Sequence, residues 1–217
     1  MPMGDEAEHR LTKERLIVFT RYPEPGKTKT RMIPALGAEG AARLQRQLTE
    51  DTLFQVKELA VSRLLSVEVH FTGGTQQLMQ AWLGSDFVYQ PQVAGDLGTR
   101  MASAFAPSFA AGMTGVVIVG IDCPDLKAPL MAQAFEALEQ SDLVLGPAQD
   151  GGYYLIGLKR MVRELFVGIS WGTSQVRQQT VEIAKKLDLA IAFLPLLRDL
   201  DRPEDLCNLD QGCKEGR

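Results

Sequence analysis

The feature that most constrains this chain is a run of apolar, β-branched residues that ends in a carboxylate. Val116 to Val119 are four such residues in a row, which predicts a strand buried on both faces, as in a parallel sheet. Pro124 lacks a backbone donor and ends the pairing, so Asp122 is left at the carboxyl end of the strand. Ligands of open α/β sheets bind at that edge, which makes Asp122 a candidate ligand for a divalent metal on a phosphorylated substrate. The alternative is that Asp122 and Asp125 only form the turn that ends the strand.

The loop after the first predicted strand is rigid and basic. The strand covers Leu16–Thr20, and the loop from Arg21 to Arg31 contains two prolines and a glycine, which exclude a helix or an inner strand. Its backbone can approach a phosphate at Gly26, but the spacing of a Walker A loop is absent. The alternative is a solvated charged loop, yet four cations in eleven residues of a chain with net charge −4 favour anion binding. These cations are Arg21, Lys27, Lys29 and Arg31.

Hydrophobic periodicity predicts further helices and strands, and hence an α/β fold. Helices are predicted over residues 38–65, 76–83, 129–140 and 174–187, and a further helix is predicted to end near residue 111. Strands are predicted over 67–71, 87–90, 142–146, 153–158 and 191–196. The link between the strands at 142–146 and 153–158 is too short for a helical crossover, so they form a hairpin or run in different directions. The sheet is therefore predicted to be mixed.

A second glycine-containing loop leads into the helix that ends near residue 111. Gly95 and Gly98 bracket Asp96, and Arg100 lies in the first helical turn. The helix dipole favours anions at that end, so a cation there is explained if an anionic ligand binds beside it. The alternative is that Asp96 only caps the helix.

Further carboxylates follow other predicted strands. Asp150 precedes two glycines, Gly151 and Gly152, which permit a tight turn and close approach of a ligand. Asp199 and Asp201 follow the last strand in the way that Asp122 follows the central one, and clusters from two strands can converge on one metal. Magnesium commonly takes one or two carboxylates together with phosphate and water. The alternative for Asp201 is that it caps the helix opened by the proline at position 203.

Size and composition indicate one globular domain. The chain has 217 residues, 45% of them hydrophobic and 23% charged, which fits a single α/β domain. We expect this domain to cover residues 15–206, with mobile tails at 1–14 and 207–217. The negative charge argues against non-specific binding of nucleic acid. We find neither a signal peptide nor a segment that spans a bilayer, so no membrane association is expected.

The cysteines predict a reducing, cytoplasmic setting. There are three, and no secreted-type disulfide framework is visible. Cys207 and Cys213 are interpreted as two thiols of the tail, with a bridge between them as the alternative. Cys123 is a poor candidate nucleophile because His9 and His70 are badly placed to activate it.

Five motifs, taken together and in this order, resemble one bacterial family. They are F-T-R-Y-P-E-P-G-K-T-K-T-R, G-D-L-G-T-R-M, G-I-D-C-P-D-L, G-P-A-Q-D-G-G-Y-Y-L-I-G-L and L-R-D-L-D-R-P-E-D-L. The family is that of the GT-A-like nucleotide-diphospho-sugar transferases, often called radical-SAM/selenodomain-associated transferases. The resemblance covers residues 15–206 and implies a three-layer α/β/α sandwich with a mixed, mostly parallel sheet. It also implies Mg²⁺ or Mn²⁺ as cofactor.

The resemblance assigns roles to residues by their position in the motifs. It implies nucleotide or phosphate binding by Arg21, Gly26, Lys27, Thr28, Arg31, Gly95, Asp96 and Arg100. It implies an acceptor-side turn at Asp150, Gly151 and Gly152. It implies metal binding by Asp122, with Asp199 or Asp201 as a C-terminal carboxylate. Asp122, Asp150 as a base, and Lys27 are the expected catalytic residues.

The chain departs from sugar transferases that carry a D-x-D motif, because it has Asp122-Cys123-Pro124-Asp125 at that place. This resembles the D-x-P form of nucleotidyltransferase relatives. The leading expectation is transfer from a nucleotide-sugar to a small-molecule acceptor. The alternatives are nucleotidyl transfer from a nucleoside triphosphate and a non-catalytic nucleotide-binding module.

Overall fold

The computed structural model describes residues 12–206 of the chain. Of the tails predicted at 1–14 and 207–217, residues 1–11 and 207–217, with Cys207 and Cys213, lie outside the described residues. Seven strands are present in this part: β1 Glu14–Arg21, β2 Ser66–Thr72, β3 Val88–Pro91, β4 Gly115–Val119, β5 Leu143–Pro147, β6 Tyr153–Leu158 and β7 Ile191–Phe193. The α-helices are α1 Ile33–Ser62, α2 Gln76–Leu83, α3 Leu97–Ala110, α4 Ala128–Gln140, α5 Val176–Lys186 and α6 Pro203–Leu206, with short 3₁₀ turns at Thr30–Met32 and Arg163–Phe166.

The strands form one mixed sheet in the order β3-β2-β1-β4-β6-β5-β7. Neighbouring strands are parallel except that β6 runs antiparallel to both β4 and β5. The predicted hairpin is therefore confirmed: β5 and β6 are joined directly, and no helix lies between them. A mixed, mostly parallel sheet results, as expected.

Helices cover both faces of the sheet and complete the predicted α/β/α sandwich. On one face, side chains of α1, α2 and α4, such as Leu48, Met79 and Phe135, pack against alternate residues of β1 and β4. On the other face, α3 and α5 pack against the intervening residues, with Phe105 of α3 at the centre. All five residues of β4 are buried, because both of its faces are covered by helices and both of its edges are paired.

Several predicted elements differ from the structure at their ends, among them α1, α5 and β7. Helix α1 begins at Ile33, five residues before the prediction, and Gly37 interrupts it with a non-helical backbone. Helix α5 begins at Val176, and no side chain caps it; the Thr173 hydroxyl instead accepts the N–H of Gln175. The last strand ends at Phe193, although the N–H groups of Leu194 and Leu197 still donate to carbonyls of β5.

None of the helices in residues 12–206 combines the length and apolarity that a bilayer span requires.

His70 is more deeply buried than its alternating pattern in β2 predicts. Only 8% of the residue is exposed, and its Nε2 lies 2.8 Å from Glu68 Oε2 on the same face of the strand. Arg15 of β1 completes the cluster, with Nη1 2.7 Å from Glu68 Oε1. Burial by itself raises the pKa of Glu68, but the hydrogen bond from His70 and the charge of Arg15 outweigh it and lower that pKa below its usual value.

This cluster predicts a pH-dependent stability. A lowered carboxyl pKa in the folded state stabilises the protein above the unfolded pKa, and that stabilisation is lost as the pH falls through the folded value. We expect Glu68→Gln to lower the free energy of unfolding at pH 7 by about 1–3 kcal/mol, with the difference shrinking below about pH 4. Urea unfolding at several pH values measures this. Glu58, exposed on α1, provides the control variant Glu58→Gln. An equal loss of unfolding free energy in both variants would show that the Glu68 cluster does not stabilise the fold.

Candidate functional site

The strand order places a cavity at the carboxyl edge of β1 and β4. The chain passes from β1 outward to β2 and β3, then crosses to the other side of β1 to form β4, so the strand order reverses between β1 and β4. Such a switch point is where open α/β sheets bind ligands. A cavity of about 360 Å³ opens there, and its lining includes Arg21, Arg100, Asp122 and Tyr154. Two cations and a carboxylate therefore face the same space.

Asp122 is held rigidly beside this cavity, as the sequence predicts. The N–H of Gly120 donates to the carbonyl of Tyr154 at 2.9 Å, which extends the pairing of β4 with β6. The carbonyl of Asp122 accepts the N–H of Leu200 at 2.7 Å, which attaches the C-terminal segment to the end of β4. The Asp122 side chain is half-exposed, and its Oδ2 has no hydrogen-bond partner among residues 12–206. One oxygen is thus free to bind a cation.

Lys29 contacts Asp122 directly, and the sequence analysis assigned it no role beyond its charge. Its Nζ lies 2.7 Å from Asp122 Oδ1 and 3.9 Å from Asp201 Oδ1, and it donates to the carbonyl of Leu200 at 2.5 Å. Only 4% of the Lys29 side chain is exposed. The residue has a left-handed backbone, with φ 47°, and it directly follows the buried Thr28. No local pattern separates Lys29 from Lys27, because its partners at Asp122 and Leu200 are distant in the sequence.

The other cations of the basic loop have different positions. Arg21 lines the cavity. Lys27, expected to be catalytic, is exposed and pairs with Glu24 at 2.7 Å. Arg31 pairs with Asp201 at 2.5 Å. The loop cations thus divide between the cavity, the loop surface and the acidic C-terminal segment.

The small residues of the loop shape its backbone. Thr28 is buried and donates its hydroxyl to the carbonyl of Tyr22 at 3.0 Å. Gly26 has φ 77°, in the left-handed region, and the N–H of the next residue donates back to Glu24. These contacts hold the turn that presents the cations.

The loop before α3 has the predicted cap and places its arginine at the cavity. Asp96 Oδ1 accepts the N–H of Thr99 at 2.8 Å, and this bond lowers the pKa of Asp96. The Arg100 Nε donates to the carbonyl of Gly95 at 3.1 Å, which orients the guanidinium. Asp96 therefore supports the helix, whereas Arg100 lines the cavity.

The Asp150 turn is held by its own side chain and by α5. Asp150 Oδ1 accepts the N–H of Gly152 at 2.7 Å, and Arg177 donates its N–H to the carbonyl of Gly151 at 3.0 Å. A Cβ atom on Gly151 would lie 2.2 Å from the carbonyl oxygen of Ser174. The glycine is therefore required by the close approach of the segment that precedes α5.

Carboxylates from three segments surround the end of β4. Burial, followed by the charges of Asp150 and Asp201 among others, raises the pKa of Asp199. Burial likewise raises the pKa of the Cys123 thiol, and Asp122, Asp199 and Asp150 add to the effect. Cys123 is thus a buried, neutral thiol, which agrees with the expectation that it is a poor nucleophile.

The residues fit a metal that is held partly by its substrate. Within residues 12–206, no group of three His, Cys, Asp or Glu side chains is arranged to hold a metal ion. Asp201 is engaged by Arg31, and Asp205 within α6 accepts the N–H groups of Asp201 and Arg202, which precede the helix. One or two carboxylates suffice for Mg²⁺ when substrate phosphates supply further ligands. Asp122 with its free oxygen satisfies that requirement.

Comparison with known proteins identifies the family. The sequence profile described as "Uncharacterized protein conserved in bacteria (DUF2064)" matches residues 55–173. The chain belongs to the DUF2064 family. It is also 34% identical to a protein of Desulfovibrio desulfuricans G20 that carries the provisional name nucleotide-diphospho-sugar transferase. That crystal structure superimposes with a TM-score of 0.88 over 95% of this chain and 90% of the other, which confirms the predicted relationship to nucleotide-diphospho-sugar transferases.

More distant structures share the fold of this DUF2064 protein. The 4-diphosphocytidyl-2C-methyl-D-erythritol synthase of Anaerococcus prevotii is 8% identical, with TM-score 0.61 over 94% of this chain and 97% of that one. The Rv0371C protein of Mycobacterium tuberculosis in complex with manganese is 14% identical, with TM-score 0.53 over 91% and 98%. No curated protein matches the sequence.

The Asp150 turn predicts a steric effect that can be separated from backbone strain. Gly151 and Gly172 both have positive φ, but no atom lies within 4 Å of a Cβ built on Gly172. We expect Gly172→Ala to lower the free energy of unfolding by about 1 kcal/mol through strain alone. Gly151→Ala should lower it by a further 1–3 kcal/mol, roughly, because backbone atoms must move. Urea unfolding of both variants measures the difference, and equal losses would show that Ser174 does not restrict the turn.

Proposed function

We propose that this DUF2064 protein is a metal-dependent transferase that uses a nucleotide-activated donor, with a nucleotide-sugar as the donor that the observations favour. The observation that carries the proposal is the cavity at the switch point, where Arg21 and Arg100 face Asp122 across one space. Cations attract the diphosphate of such a donor, and a carboxylate at the strand end binds its metal. The similarity to the Desulfovibrio protein supports the same class.

The residues of the chain supply positioning and charge. Mg²⁺ or Mn²⁺, when bound, would neutralise the negative charge that develops on the leaving nucleotide. Asp122 would hold this ion, and Arg21 and Arg100 would bind phosphate oxygens. We propose Asp150 as the base for the acceptor hydroxyl, because it is exposed and its charge acts on Asp199 and Cys123 at the end of β4. Charge stabilisation by such fixed groups is commonly a large part of catalysis.

Nucleotidyl transfer from a nucleoside triphosphate is the second candidate. The observation that favours it is the sequence Asp122-Cys123-Pro124-Asp125, in which Cys123 is buried and both aspartates are exposed. In that reaction the same cations would bind the pyrophosphate that leaves. The acceptor would then be a phosphorylated small molecule.

A thermal-shift panel of nucleoside triphosphates and nucleotide-sugars, each with and without Mg²⁺ or Mn²⁺, tests the proposal. A ligand that binds the folded state raises the melting temperature by mass action. We expect the largest shift with a nucleotide-sugar and metal together. A larger shift with a triphosphate would select nucleotidyl transfer, and a shift that is indifferent to metal would indicate a non-catalytic binding module.

Asp122 provides the matching test by mutation. We expect Asp122→Asn to lower kcat with the donor found in the panel by at least about 100-fold, because the carboxylate charge holds the metal that stabilises the leaving group. Asp125→Asn, three residues further along the same turn and exposed, is the control and should stay within about threefold of the unmodified protein. An Asp122→Asn variant with near-full turnover would refute the mechanism.

A further inference from the structure

A buried ammonium group occupies the side of Asp122 that faces the C-terminal segment. Lys29 Nζ is 2.7 Å from Asp122 Oδ1 and 3.9 Å from Asp201 Oδ1, with 4% of its side chain exposed. It also donates to the carbonyl of Leu200. A lysine is rarely buried to this extent unless its charge is paired. Lys29 therefore belongs to the interior of the site and acts on Asp122 at contact distance.

The charges of the site balance before any ligand binds. Lys29 neutralises Asp122, and Arg31 neutralises Asp201. A divalent cation that approaches Asp122 alone meets a carboxylate whose charge is already compensated, with an ammonium group close by. Repulsion between like charges at such distances is strong in a partly desolvated site. Free Mg²⁺ or Mn²⁺ should consequently bind weakly.

A nucleotide diphosphate reverses this balance. Its phosphates bring two or more negative charges and also oxygen ligands for the metal. Their negative charge then offsets the repulsion between the Lys29 ammonium and the metal. The buried ammonium thus favours the metal and the nucleotide together over the metal alone.

We propose that Lys29 is a positioning residue that makes metal binding at Asp122 conditional on a bound nucleotide. The inference rests on the proposed function, since it assumes a donor with a diphosphate. The proposed role of Lys29 is to couple metal binding to nucleotide binding. This role is separate from the structural one of its hydrogen bond to the carbonyl of Leu200. A purely structural lysine would hold the C-terminal segment without affecting the affinity for metal.

Equilibrium dialysis of Mn²⁺ tests the proposal on the full chain. The membrane retains the protein and passes nucleotide, so any excess of Mn²⁺ on the protein side is bound to protein. For the unmodified protein we expect the Kd for Mn²⁺ to fall at least about tenfold when a nucleoside diphosphate is added. The panel contains CDP, UDP, GDP and ADP. Equal binding with and without nucleotide would overturn the proposal without any variant.

Lys29→Met removes the charge while keeping an unbranched side chain. We expect this variant to bind Mn²⁺ without nucleotide at least about tenfold more tightly than the unmodified protein, and to gain melting temperature from Mn²⁺ alone. Asp122→Asn in the same chain should abolish the gain, which would locate the metal at Asp122. Lys57 of α1 forms an exposed ion pair with Asp86 and provides the control. Lys57→Met removes an equal charge and should leave the Kd for Mn²⁺ unchanged.

The possible results separate this inference from the proposed function. A Lys29→Met variant that melts earlier and gains no affinity for Mn²⁺ would show a structural role only and overturn the inference. If the variant does not fold, equal binding of Mn²⁺ with and without nucleotide in the unmodified protein still overturns the inference. If no nucleotide binds to any variant, the proposed function fails, whether or not Lys29→Met gains metal. If nucleotide binds but does not affect the metal, only the role of Lys29 fails.

Discussion

The position of β4 at the centre of the sheet is the constraint on which the rest of the structure depends. Its edges pair with β1 on one side and β6 on the other, and helices cover both faces. The N–H and C=O groups of a buried backbone must form hydrogen bonds. The apolar run from Val116 to Val119 meets this requirement as an inner strand of the sheet. This arrangement directs Asp122 to the carboxyl edge beside β1. It also brings the basic loop after β1 to the same edge.

The site is a set of opposite charges that are drawn together from distant parts of the chain. Lys29 joins the end of β1 to the end of β4 and to the segment at Leu200, 171 residues away in sequence. Arg31 makes a similar connection to Asp201. These pairs compensate the charges of Asp122 and Asp201, while the cations Arg21 and Arg100 line the cavity. Such a division suits a site whose ligand brings both anions and a metal.

Membership of the DUF2064 family and the strong similarity to the Desulfovibrio protein agree with this arrangement. Proteins with other names share the fold at low identity, so the fold itself does not select one reaction. The reaction depends instead on what the cavity and the carboxylates around Asp150 and Asp199 accept. The role that we propose for Lys29 adds a further condition, namely that metal and nucleotide bind together.

The sequence by itself determined the fold class, the mixed sheet and the position of Asp122, because these follow from local patterns: β-branched runs, a short hairpin link and proline at a strand end. It also determined the Asp96 cap, which needs only neighbouring residues. Tertiary structure alone decided the partners of the charges. Lys27 and Lys29 have the same side chain two positions apart, yet one is exposed and the other is buried against Asp122. Glu68 and His70 of β2 likewise form a partly buried cluster with Arg15 of another strand. Long-range pairing of charges depends on how distant segments pack, and no local pattern encodes that.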